Sequence, residues 1–284
     1  MSAPFVTRFA PSPTGYLHRG HAFSALTAFE AARAAKGRFL LRIEDIDATR
    51  CRPEFEAAIL EDLDWLGLRW ETPVRRQSEH MADYEAALDK LESRGLLYRC
   101  FRTRKDIAEA AASAPHGPTE AFRGGPLHPN EEDRFLSEGR PFAWRLSLDA
   151  ARDRVGAFEK LSFREEGPVK GPKKRIVARP ELAGDVVLAR KDVGVAYHLA
   201  VVVDDALQGV NHVIRGEDLF EATHIQRLLQ ALLGLPTPTY HHHRLLLDAQ
   251  GRRFAKRDKA ETLRAIRERG VSAAALRADL GFSA

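Results

Sequence analysis

Short strand-like stretches and longer helical ones alternate through residues 4–101, and that rhythm constrains the fold more than any other feature of the chain. "PFVTRFA" alternates as a half-buried strand does, and "GHAFSALTAFEAARAAKG" continues with helical apolar spacing up to Gly37. "RFLLRIED" is an apolar run short enough for a buried strand, and "RPEFEAAILEDLDWLG" returns to the helical period. "EHMADYEAALDKLESRG" is a further amphipathic helix that stops at a glycine, before the strand-like "LLYRCF". Strands that alternate with helices predict a parallel sheet covered by helices, an α/β fold.

The rhythm breaks near residue 113. "SAPHGPTEAFRGGPLHPN" is rich in Gly, Pro and small polar residues and reads as a loop. Residues 131–190 carry shorter strand candidates, "FAWRLSL" and "GDVVLAR", as a small insertion would. From residue 191 the α/β pattern resumes with "VAYHLAVVVDDAL", read as an apolar strand opened by Tyr197, then "HVIRGEDL" and the helix "EATHIQRLLQALLG". "ETLRAIRERG" and "SAAALRADLG" follow as short helices. The expected organisation is one nucleotide-binding fold in two halves, 1–112 and 191–260. An insertion at 113–190 splits them, and a short helical segment covers 261–284.

Composition narrows the setting. A hydrophobic share of 44% with 30% charged residues is ordinary for a globular protein in water. No apolar run is long enough to span a bilayer, and the N-terminus lacks the basic-then-apolar layout of a secretory signal. Two cysteines, Cys51 and Cys100, suit a reducing compartment, so a cytoplasmic protein without a membrane partner is expected. A net charge of +4 and a pI of about 9.1 permit a nucleic-acid partner without requiring one.

Chemistry concentrates at the first strand-to-helix junction, where Pro11, Pro13, Gly15 and Gly20 surround His18 and His21. The chain has no "GxxxxGK[ST]", which excludes a Walker-type phosphate loop. A helix starting near Gly20 still aims free N–H groups and the positive end of its dipole at an anion placed before it. Imidazoles at His18 and His21 can donate to phosphate oxygens as charge builds in a transition state. Gly20 allows a base or ribose to approach the backbone. On its own, "HRGH" reads more readily as a capping or surface pair of histidines, because four positions match easily by chance.

The longer stretch "RFAPSPTGYLHRGH" at 8–21 resembles the first signature of class I aminoacyl-tRNA synthetases, in the form used by the glutamyl branch. "LRIEDID" at 41–47, "YHLAVVVDDAL" at 197–207, "VIRGEDL" at 213–219 and "LLLDAQGRRFAKRDKA" at 245–260 match in family order. The resemblance implies a Rossmann-type class I catalytic core with a small insertion and a short helical C-terminal segment. It implies ATP as substrate, accompanied by Mg²⁺, and ATP-dependent activation of L-glutamate.

Residue by residue, the resemblance puts glutamate against Arg8, Phe9, Ala10, Pro11, Ser12, Glu44, Tyr197 and Arg215. Arg8 ends a strand, where a guanidinium can grip a carboxylate bidentately, and Glu44 can receive the substrate ammonium. Arg215 is implied at the glutamate side chain, where its charge would reject glutamine. Asp45 and Asp47 read as turn or solvent-facing acids. ATP is implied at His18, Gly20, His21, Arg253 and Lys256, with His18, His21 and Lys256 catalytic. "RRFAKR" stands where the family has its second signature loop, with Arg253 for the usual first lysine and Ala255 for the usual serine. Lys256 aligns with the lysine that reaches the leaving pyrophosphate.

"YHHHR" at 240–244 suggests a metal, but neighbouring strand residues face opposite ways, so His241, His242 and His243 cannot all reach one ion. A place beside the nucleotide or a structural role remains for them. Relatives carry a Cys-x-Cys pair and a later cysteine in the insertion. Here Cys100 is followed by Arg102, and zinc is not expected. The early end of the match, without an anticodon-reading domain, implies tRNA-independent activation and transfer of glutamate to queuosine in the anticodon of tRNA(Asp), by a monomer. Charging tRNA(Glu) and non-catalytic binding of tRNA or glutamate are the alternatives.

Overall fold

The computed structural model describes residues 3–103, 106, 121–167, 174–190, 194–246 and 261–283. In chain order the first half gives β1 (Val6–Phe9), α1 (Arg19–Ala34), β2 (Arg38–Ile43), α2 (Pro53–Trp65), β3 (Glu71–Arg76), α3 (Met81–Glu92) and β4 (Leu97–Cys100). Then come α4 (Pro129–Ser137), β5 (Ala143–Leu146), α5 (Leu148–Val155), β6 (Ser162–Glu165), β7 (Lys174–Val177), β8 (Val187–Arg190) and β9 (Gly194–Val195). The remainder gives α6 (Tyr197–Leu207), β10 (His212–Gly216), α7 (Phe220–Leu233), β11 (Thr239–His243), α8 (Leu263–Glu268) and α9 (Ala273–Asp279).

β1, β2 and β3 pair in parallel, with Arg8 opposite Leu40. β10, β11 and β6 pair in parallel as well, and β7 closes that sheet as an antiparallel edge. The two sheets meet where β1 lies beside β10: Asn211 N donates to Val6 O at 3.1 Å, and Val6 N to Asn211 Oδ1 at 2.9 Å. The strands therefore run β3-β2-β1-β10-β11-β6. The chain works outward from β1 on one side and starts again beside it on the other. The helices that follow β1 and β10 pack into different core clusters, and the crevice at such a switch point is where open α/β sheets take their ligands.

Small side chains let α1 settle on this switch point. Ala22, Ala25, Leu26, Ala28 and Ala32 form its buried stripe, and the helix packs on β1, β2 and β10. Leu41, Ile43, Ile59 and Leu63 fill the space between that stripe, β2 and α2. Leu263, Ile266, Leu276 and Leu280 join the same cluster, so α8 and α9 dock on the first half. Leu263 N donates to Leu17 O at 2.8 Å, and Thr262 forms a bridge with His18.

One expected element is corrected: residues 197–207 are a helix, not a strand. Every residue of α6 from Leu199 to Asp205 is buried, between α3 and α7. A helix enclosed on all sides shows no amphipathic period, and its Val201–Val203 run mimics a core strand. A separate antiparallel sheet, β4-β5-β8-β9, links residues on both sides of the 112/113 boundary, and β6 joins β11 across the other. No helix among the described residues is long and apolar enough to cross a membrane.

Candidate active site

A cavity of about 510 Å³ opens at the carboxyl ends of β1 and β10. Arg8, Phe9, Ala10, Pro11 and Ser12 line it from the β1 side. Glu44, just past β2, Tyr197 at the first turn of α6, and Arg215 in β10 complete it. The eight residues expected around glutamate thus share one cavity, although they lie on four different elements or their ends.

Arg8 is buried and tied to acid. Its Nε donates to Asp205 Oδ1 at 2.9 Å, and Arg42 Nη1 donates to the same oxygen at 2.8 Å. Arg42 Nη2 reaches Glu44 Oε1 at 3.2 Å, and Arg42 itself is fully buried. Burial opposes the Asp205 charge, but Arg8 and Arg42 outweigh it and hold that carboxyl below its ordinary range. Glu44 goes the other way: burial raises its pKa by more than Arg42 and Arg8 lower it. A cation placed beside it would offset that burial and favour the charged form.

Arg215 is held differently. Its Nε donates to His242 Nε2 at 3.2 Å, and its Nη2 to Thr223 Oγ1 at 2.7 Å, Gln226 Oε1 at 2.8 Å and Leu219 O at 3.2 Å. Nη1 donates to Tyr197 Oη at 3.4 Å. No carboxylate among the described residues forms an ion pair with it. A buried guanidinium wrapped in neutral acceptors keeps its full attraction for an anion in the cavity.

A second cavity of about 370 Å³ continues from the first, sharing His21, Ser24, Gly216 and Asp218 with it. His18 and Gly20 lie on its wall. Both histidines cap α1: Gly20 N donates to His18 Nδ1 at 3.1 Å, and His18 N to His21 Nδ1 at 3.2 Å. The capping reading and the phosphate reading are therefore compatible, since an accepting Nδ1 leaves the proton of a neutral ring on Nε2. The space beside Gly20 is filled by the His18 ring, which a Cβ would approach to 3.0 Å, so the glycine here makes room for that cap. Leu246 lines the same cavity as His18, and Thr262 pairs with His18. Arg253 and Lys256 fall outside the described residues, but the chain on either side of 247–260 abuts the His18 turn.

A third cavity, about 450 Å³, shares Ser12, Thr14, Glu44 and Tyr197 with the first and is rimmed by Arg50, Arg145 and Arg190. Asp45 and Asp47 serve turns: Asp45 accepts from Ser78 N and Oγ, and Asp47 from Thr49 N and Oγ1. His243 donates through Nδ1 to Arg244 O, leaving Nε2 to accept from Ser24 Oγ on the wall of the second cavity. Among the described residues no group of three His, Cys, Asp or Glu side chains is arranged to hold a metal ion.

Sequence reasoning passed over Asp205, Arg42 and Glu165 as working residues, and left His242 with a place beside the nucleotide or a structural role. The signals were faint: two acids inside the apolar run "AVVVDDAL", and one arginine inside "LLRI". A charge in an otherwise apolar buried stretch needs a partner, and here each one finds it in the other half of the fold.

The family described as tRNA synthetases class I (E and Q), catalytic domain, matches residues 4–281. The chain belongs to that family. Among class I synthetase relatives, a glutamyl-Q tRNA(Asp) synthetase of Rhodobacter capsulatus is 50% identical over 98% of this chain and 100% of its own length. One from Nocardia farcinica is 46% identical over 90% of this chain and 77% of its own. The solved glutamate tRNA ligase of Elizabethkingia meningosepticum, in complex with its amino acid, superposes with a TM-score of 0.73 at 27% identity. That alignment covers 90% of this chain and 52% of the other, so this class I synthetase chain spans about half the length of that ligase.

Proposed function

We propose that this chain uses ATP to activate L-glutamate as glutamyl-adenylate, without tRNA, and then transfers glutamate to queuosine in the anticodon of tRNA(Asp). The observation that carries the reading is the switch-point cavity, where two buried arginines and a carboxyl of raised pKa face one space. Glu44 receives the ammonium, and Arg8 and Arg215 supply cations for the carboxylates, Arg215 at the side-chain end. Phe9, Ala10, Pro11, Ser12 and Tyr197 complete the wall. Glutamine lacks the charge that would repay the isolation of Arg215, so it binds poorly.

ATP, arriving with its Mg²⁺, extends into the adjoining cavity over the start of α1. A carboxylate oxygen of glutamate attacks the α-phosphorus, a C–O–P anhydride forms, and the bond to pyrophosphate breaks. His18 and His21 donate through Nε2 to phosphate oxygens, assisted by the helix N-terminus. Lys256 and Arg253 stabilise the departing pyrophosphate. A hydroxyl of the acceptor nucleoside then attacks the acyl carbon, AMP leaves, and an ester forms. The third cavity meets the first at Ser12 and Glu44, and its arginine rim suits a nucleic-acid acceptor approaching from that side. The names of the full-length relatives support tRNA(Asp) as that acceptor.

Radiolabelled glutamate offered to tRNA(Asp) with and without queuosine, and to tRNA(Glu), tests this. Label is expected only on queuosine-containing tRNA(Asp). Label on tRNA(Glu) alone would establish the ordinary charging reaction instead. Label on none, with no glutamate-dependent pyrophosphate exchange, would make the protein a binding protein.

A further inference from the structure

Behind Arg215 stands a pair of residues that the glutamate-holding wall does not include. Glu165, His242 and Arg215 lie on adjacent parallel strands, β6, β11 and β10, with Arg215 opposite His242 and Tyr240 opposite Glu165. Glu165 and His242 have no solvent exposure. Glu165 Oε2 lies 2.6 Å from His242 Nδ1, and Glu165 Oε1 accepts from His242 N at 2.9 Å and Gly167 N at 2.8 Å. A Cβ at residue 167 would come within 2.6 Å of that carboxylate oxygen, so glycine is what lets the loop close over it. The His242 ring stacks almost parallel to Tyr240, at 4°.

These contacts dictate a proton position. An ionised Glu165 accepts, so Nδ1 of His242 carries hydrogen, and Nε2 of the neutral ring keeps its lone pair for Arg215 Nε–H and the Thr223 hydroxyl, 3.1 Å away. Burial keeps His242 below its ordinary pKa, and although burial also opposes the Glu165 charge, the bonds from His242 keep that carboxyl ionised. With Nε and Nη2 both fixed, the Nη1 edge of Arg215 faces Tyr197 and the cavity.

We infer that Glu165 and His242 form a positioning relay that fixes the histidine tautomer, and through it the plane of Arg215, so that the cavity separates a side-chain carboxylate from its amide. The inference rests on the proposed role of Arg215 at the glutamate side chain. Neither relay residue is catalytic; both act through Arg215.

Glu165→Gln tests it with one atom changed. The amide keeps an oxygen for the two backbone donors and turns its NH₂ to His242 Nδ1. The ring proton then moves to Nε2, against Arg215 Nε–H, and the guanidinium must turn. KM for glutamate is expected to rise on the order of tenfold, the value of a hydrogen bond to a charged group, with the preference over glutamine narrowing equally. KM for ATP and kcat at saturating glutamate stay within about twofold. His242→Gln keeps an acceptor for Arg215 and should stay near the parent, whereas His242→Leu should match Glu165→Gln. An unchanged KM for glutamate, a parallel loss toward ATP and glutamate, or equal behaviour of the two His242 variants overturns the relay. Nitrogen-15 NMR of the histidine rings reads the tautomer without substrate. The parent protein should show Nδ1–H and Glu165→Gln should show Nε2–H; an imidazolium or an Nε2–H parent overturns the relay. Absence of glutamate-dependent exchange in the parent protein would instead overturn the proposed function, while the tautomer still reports on the relay.

Discussion

Two arginines face the same cavity and are held in opposite ways. Arg8 is anchored by a carboxylate, Asp205, which it shares with Arg42, and that cluster ties β1, β2 and α6 together. Arg215 is gripped by a hydroxyl, an amide, a carbonyl and an imidazole, with the nearest carboxylate of its network one ring away at Glu165. The first arrangement spends most of its charge on joining the halves of the fold. The second spends hydrogen bonds on direction and leaves the charge for a ligand. Stability and recognition are thus divided between neighbouring strands.

The sharpest way to break that division is to remove each member in turn. Arg215→Ala should lower kcat/KM for glutamate on the order of a thousandfold, because truncating one partner of a buried charged contact costs roughly 2–5 kcal/mol. The measurement is pyrophosphate exchange against glutamate concentration. Asp205→Asn should act on folding instead. It leaves Arg8 and Arg42 buried without their shared carboxylate, and breaking such a pair costs about 3–5 kcal/mol, read from the denaturant midpoint. A loss under about 1 kcal/mol would show that Asp205 is not the anchor claimed here.

Glu44, on the same cavity, responds to pH. Its carboxyl titrates above the ordinary range because burial outweighs Arg42 and Arg8, and only the ionised form can hold an ammonium. KM for glutamate should therefore climb as pH falls, starting at higher pH than for a solvent-exposed glutamate. Glu44→Gln should have a high KM with that acid limb missing. A flat profile in the parent protein would remove Glu44 from the ammonium site.

Asp62 on α2 follows neither pattern. It is buried, neither carboxyl oxygen has a hydrogen-bond partner among the described residues, and burial pushes its pKa up to about 6. The folded state binds this proton more tightly than the unfolded chain. Its contribution to stability is thus complete below pH 4 or so and lost as pH rises through about 6. Asp62→Asn should flatten that loss and be more stable than the parent at pH 7.5, by about 1–2 kcal/mol. Equal pH dependence of the two unfolding midpoints would contradict this.

Much of the fold was legible because periodicity survives wherever an element has one wet face. β1, α1, β2, α2 and α3 appear where the spacing puts them, as do α7, α8 and α9. α6 was misread because burial on every side erases the period. β6 and β7 were not anticipated: "SFRE" and "KRIV" carry more charge than a core strand shows, β7 because it is the exposed edge and β6 because it hides Glu165 against His242. The cavity-facing residues were legible through resemblance. Their supports were not: helix packing brings Asp205 to Arg8, and strand order brings Glu165 behind Arg215, and no local pattern reveals either.

Glutamate activation without tRNA is read directly by pyrophosphate exchange into ATP, with purified protein, glutamate or glutamine, and no tRNA. Exchange is expected with glutamate, very little with glutamine, and with no requirement for tRNA. Equal exchange with the two amino acids, or none with glutamate, would contradict it.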